Sequence, residues 1–129
     1  MKETDISASA PAPTLKETVA TILESLHADD AKDILDIDLT GKTSIADRMI
    51  VASGTSARMV SALAQRLITK LKALGLVPRS EGEQYGDWVL VDAGDVVVHL
   101  FRPEVRSFYN LERMWAFGET PGPQPAGNA

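Results

Sequence analysis

Cysteine is absent from the 129 residues, which removes a disulfide framework, a thiol nucleophile and any zinc site built on Cys. Long apolar runs are also missing, so no transmembrane helix is predicted. The opening stretch, Met1 to Pro13, lacks the hydrophobic segment of a secretory signal. A soluble, cytosolic protein with no membrane contact is the expectation. Clustered positive charge is scarce as well: 13 Lys and Arg stand against 18 Asp and Glu, a net charge of −5. The densest basic group, Arg66, Lys70 and Lys72 on one predicted helix, reads as a solvated face. Proteins that grip nucleic acid alone carry a basic stripe, because neutralised phosphates supply most of the affinity. Direct, sequence-specific nucleic-acid binding is therefore disfavoured, and a basic protein partner fits better.

What is present organises into one domain over residues 14–118, with tails at 1–13 and 119–129 whose Pro, Gly, Ala and Ser content predicts disorder. Thr14 and Glu17 have the spacing of a capping box, and Leu15, Val19, Ile22, Leu23 and Leu26 follow as a helical stripe. Leu35, Ile37 and Leu39 alternate with Asp36 and Asp38, the period of a half-buried strand. Residues 47–53 form an apolar second strand. Gly54-Thr55-Ser56 then breaks the chain and offers N-cap hydroxyls to a long helix that ends at Gly75. Short strands are predicted within 77–83, over 87–92 and over 96–101, and Pro103 can open a last helix carrying Phe108, Leu111 and Trp115. The order α-β-β-α-β-β-β-α predicts an α/β fold with a mixed, roughly five-stranded sheet flanked by helices and one right-handed crossover.

The richest stretch runs from Glu81 to Phe101. Two apolar runs are joined by an Ala-Gly turn, with five acids (Glu81, Glu83, Asp87, Asp92, Asp95) and no Lys or Arg. Alternation places Trp88, Leu90 and Asp92 on one face and Val89 and Val91 on the other. With the valines in the core, Trp88 and Leu90 point to a more open face and have the makeup of a binding hot spot. The alternative makes Trp88 core beneath helices on both faces. His99 lies inside the last apolar run, as a general base or a hydrogen-bonded structural residue. Asp87, Asp92 and Asp95 flank a turn, where Asp is common for backbone reasons.

Two other groups carry chemistry in principle. Asp36 and Asp38 share a strand face and could hold Mg²⁺ for phosphoryl or nucleotidyl transfer, yet an amphipathic strand needs polar residues there anyway. Gly54-Thr55-Ser56 could seat a phosphate on a helix N-terminus, but it has neither the Walker lysine nor a dinucleotide-binding pattern.

Taken in order, several pieces resemble the ribosomal silencing factor, or Iojap-like, family over nearly all of residues 14–118. They are Asp33-Ile34 with Asp38, Ser44-Ile45-Ala46-Asp47, and Ser53-Gly54-Thr55-Ser56-Ala57-Arg58. They continue with Glu81-Gly82, residues 87–92, residues 94–99, residues 108–112 and Trp115. The resemblance implies a nucleotidyltransferase-like topology without enzymatic activity or cofactor, and a homodimer when free. It implies binding to the large ribosomal subunit through ribosomal protein uL14. That contact would block joining of the small subunit and lower translation when nutrients are scarce; relatives in organelles act in large-subunit assembly. Carried onto this sequence, the partner surface would involve Glu81, Gly82, Asp87, Trp88, Leu90, Asp92, Gly94, Asp95 and His99, with Phe108 and Tyr109 nearby. One departure is Met59 after Arg58, where the family often has histidine. A nucleotidyltransferase-like enzyme is the alternative, although active members place a Gly-Ser turn before the paired carboxylates. Here Asp36 and Asp38 come first.

Overall fold

The computed structural model describes residues 12–42, 44 and 46–105. Helix α1 spans Leu15–Ala28. Its first turn is closed as the sequence predicts: the Glu17 amide donates to Thr14 Oγ1 at 3.0 Å, and the Thr14 amide donates to Glu17 Oε1 at 2.8 Å. Helix α2, Ala57–Ala73, starts where Ser56 Oγ accepts from the Met59 amide at 3.1 Å. It ends in a Schellman motif. The Gly75 amide donates to the Lys72 carbonyl and the Leu76 amide to the Leu71 carbonyl, with Gly75 at φ 95°.

The strands are β1 (Lys32–Asp38), β2 (Arg48–Ser53), β3 (Arg79–Glu81), β4 (Trp88–Asp92) and β5 (Val96–Phe101), arranged β1-β2-β5-β4-β3. Among the described residues the central β2–β5 pair is parallel and the other three pairs are antiparallel. The mixed five-stranded sheet is thus the one predicted. Strand β3 runs parallel to β2 by this pairing, so β2-α2-β3 is the crossover and passes over β5 and β4. Strand β1 starts earlier than the Leu35 alternation indicates. A register shift lies between Lys32 and Leu35, and Asp33 has φ 50°, so the period is broken where the strand enters. Residues 103–105 turn helical after β5, as Pro103 predicts; Phe108, Leu111 and Trp115 lie outside the described residues.

Both helices pack on one face of the sheet. Val19, Ile22 and Leu26 of α1 and Val60, Leu63, Ala64, Leu67 and Leu71 of α2 join Ile50, Ala52, Val89, Val91, Val98 and Leu100 in one buried cluster. The opposite face has its own cluster of Leu39, Ala46, Met49, Val51, Trp88, Val97 and Phe101, edged by Ile37, Leu90 and Val105. Pleating generates this division: residues paired across the ladder share a face.

Candidate partner interface

The register shows how the hairpin β4–β5 builds the second face. Trp88 pairs with Phe101, Leu90 with His99 and Asp92 with Val97, so Trp88, Leu90 and Asp92 do share one face, with Val89 and Val91 in the helix-side core. On β5's other side His99 pairs with Val51.

Of the open and core readings, Trp88 takes the core one. Its relative exposure is 2%, and that of His99 is 1%. The indole Nε1–H donates to His99 Nδ1 at 2.8 Å, and the indole ring lies 5.7 Å from the imidazole and 5.8 Å from the Phe101 ring. Burying an indole requires a partner for its one N–H donor, and the cross-strand diagonal supplies it. Accepting at Nδ1 fixes the imidazole as the neutral form protonated on Nε2. Burial pushes the His99 pKa down to about 3, because charging it would cost desolvation. A base held neutral inside a Trp–Phe stack is a structural residue. Truncating Trp88 disturbs the fold itself and is not a clean probe of binding.

The acids divide into those used internally and those that face outward. Asp87 holds Arg102, with an Oδ1 to Nη2 distance of 2.6 Å. Since Trp88 opposes Phe101, residues 87 and 102 continue the same register. The partnership was legible in the hairpin, although Arg102 had no place among the predicted site residues. Asp92 Oδ1 accepts from the Gly94 amide at 2.8 Å, the turn role its position indicates. Glu83 is tied to Ser80 and Gln65. Glu81, Gly94 and Asp95 are exposed, Gly82 and Leu90 are half-buried, and among the described residues the Glu81 and Asp95 carboxylates have no side-chain partner. Strand β3 and the β4–β5 hairpin therefore present a rim of Glu81 and Asp95 around Leu90 and Asp92, with the exposed Arg79 opposite Asp92 on the same face, over a floor of Trp88, His99 and Phe101. Phe108 and Tyr109 lie outside the described residues.

The alternative sites are structurally engaged. Asp36 forms a two-point ion pair with Arg48, Oδ1 accepting from Nε at 2.9 Å and Oδ2 from the second guanidinium nitrogen. That hydrogen bond raises the Arg48 pKa. Asp38 Oδ1 accepts from the Thr40 amide at 2.9 Å, the main cause of its lowered pKa. Among the described residues no group of three or more His, Asp or Glu is arranged to hold a metal ion. Met59, where the family pattern often has histidine, packs half-buried against the helix-side core.

A family profile described as "Ribosomal silencing factor during starvation" matches residues 12–126. A Zymomonas mobilis protein named Ribosomal silencing factor RsfS is 58% identical over 99 residues, covering 76% of this chain and 74% of that one. The mouse protein named Mitochondrial assembly of ribosomal large subunit protein 1 is 32% identical over 104 residues, 78% of this chain and 46% of its own length. A crystal structure of a Chromobacterium violaceum protein superposes with a TM-score of 0.79 at 42% identity, covering 89% of this chain and 98% of that one. With the profile spanning nearly the whole chain, this protein belongs to the ribosomal silencing factor family.

Proposed function

We propose that the chain is a non-enzymatic, cytoplasmic repressor of translation. It docks on the large ribosomal subunit through ribosomal protein uL14 and sterically blocks joining of the small subunit when nutrients are limiting. The observation that carries this reading is the family match over residues 12–126. The charge of the hairpin supports it: Glu81 and Asp95 extend into solvent from a segment without Lys or Arg, a complement for a basic ribosomal protein. The contact zone on this reading is the rim of Glu81, Gly82, Leu90, Asp92, Gly94 and Asp95. Trp88, His99 and Asp87 act beneath it by holding the hairpin.

Isolated large subunits incubated with the protein should retain it on sedimentation. Joining, followed by light scattering after small subunits are added, should fall as the protein is titrated. Retention without any effect on joining would remove the occlusion mechanism; failure of large subunits to retain the protein would remove the partner. A role in large-subunit assembly is the second reading, favoured by the name of the mouse relative. It predicts retention from cell extract on immature rather than mature particles.

A further inference from the structure

We propose that Glu83 is a positioning residue: it latches loop 82–87 onto α2 and so presets the acidic edge of the hairpin, a role that rests on the partner reading above. Glu83 lies in the acidic segment, and charge alone would count it among the partner contacts. Its geometry points inward. Oε1 accepts from Ser80 Oγ of β3 at 2.5 Å and Oε2 from Gln65 Nε2 of α2 at 2.7 Å, while its backbone carbonyl accepts from Ser61 Oγ at 3.0 Å. Ser61 and Gln65 are four residues apart on α2 and present one face to the loop.

The loop is closed on itself as well. The Gly82 carbonyl accepts from the Tyr85 amide at 3.1 Å and from the Gly86 amide at 3.2 Å. At its far end Gly86, at φ 69°, is set so tightly on the first turn of α2 that a Cβ there would lie 2.5 Å from the Ala57 carbonyl oxygen. Two partner-facing or supporting positions, Gly82 and Asp87, are the ends of this loop, and a third, Glu81, borders it directly. A loop ordered before docking spares the complex the entropy of ordering it afterwards, so the latch acts on affinity without touching the partner.

The test compares wild-type protein with Glu83→Ala, Glu83→Gln and Gln65→Ala, by amide hydrogen exchange in the free full-length chain and by affinity for isolated large subunits. Glu83→Ala should speed exchange across residues 82–87, leave α1 unchanged and weaken binding about tenfold. Glu83→Gln keeps a carbonyl acceptor and its amide can turn to suit Gln65, so it should stay within about twofold of wild type. Gln65→Ala removes one tie from an exposed position and should reproduce part of the loss in a folded protein. If Glu83→Gln weakens binding as much as Glu83→Ala, the carboxylate is a charge contact and the positioning role is wrong. Unchanged exchange in Glu83→Ala or Gln65→Ala overturns the latch. Failure of wild-type protein to bind large subunits overturns the partner reading and the positioning role together, while exchange in the free chain reads the latch separately.

Discussion

His99 shows at the scale of one residue how burial replaces chemistry with structure. A histidine in an apolar strand can be read as a base, yet this one accepts from the Trp88 indole and its pKa is pushed down to about 3 by burial. The consequence for stability has a definite sign. In the unfolded chain the imidazole takes up a proton below its ordinary pKa of 6.5, whereas the folded form stays neutral until the pH approaches 3. The unfolded state therefore binds more protons between these values. Stability falls as the pH drops through that window, by up to about 1.4 kcal/mol per pH unit. His99→Asn offers an acceptor oxygen to the indole and does not titrate. Urea unfolding at pH 7 and pH 5 should show wild type losing about 2 kcal/mol more than this variant. The comparison matters because exposed carboxylates contribute in both proteins. Equal losses in the two would remove His99 as the acid-sensitive group.

Elements carry the parts of the fold that are local in sequence, and these are the parts that could be read in advance. Thr14 with Glu17, Ser56 before α2 and Gly75 after it each act within a few residues, so spacing and residue type suffice. Gly75 gives the sharpest check. At φ 95°, no atom of the described residues beyond its chain neighbours lies within 4 Å of where its Cβ would be, so the left-handed backbone is the main cost of Gly75→Ala. A loss of about 1 kcal/mol in denaturant unfolding is expected, with unchanged affinity for large subunits. A neutral result would mean the helix end relaxes into another cap. The pairing of β4 with β5 and the split of Trp88 from Val89 were legible for the same reason, since a strand period needs no distant information. Three features were not. The early start of β1 depends on a positive φ at Asp33 that alternation does not reveal. The inward turn of Glu83 depends on Gln65, 18 residues away. The burial of Trp88 depends on how the second sheet face is closed, which alternation along one strand leaves open. In the candidate site, then, side-chain direction was readable and exposure was not.

The sheet is two-sided: α1 and α2 cover one face, including Val89, Val91, Val98 and Leu100 of the hairpin, and the hairpin's opposite face has its floor already filled by Trp88 and Phe101. That arrangement changes what can attract a partner. On the proposed reading, the buried indole cannot serve as a deep aromatic anchor, and recognition falls more on the half-buried Leu90 and the exposed acids. Charges at a rim act mainly on the rate of encounter. A net charge of −5 adds a weak field of the same sign over the molecule. Glu81→Lys and Asp95→Lys change exposed side chains that have no side-chain partner among the described residues, so folding stability should move by no more than about 0.5 kcal/mol. Association with large subunits, followed by stopped flow at low ionic strength, should slow by roughly threefold to tenfold for the double variant. Its dissociation rate should change less. The difference should shrink as salt is raised and the screening length falls to about 10 Å and below. A double variant that associates as fast as wild type at low salt would place the encounter surface elsewhere on the molecule. If association is unchanged and dissociation accelerates at every salt concentration, Glu81 and Asp95 make short-range contacts in the complex instead of steering the approach to it.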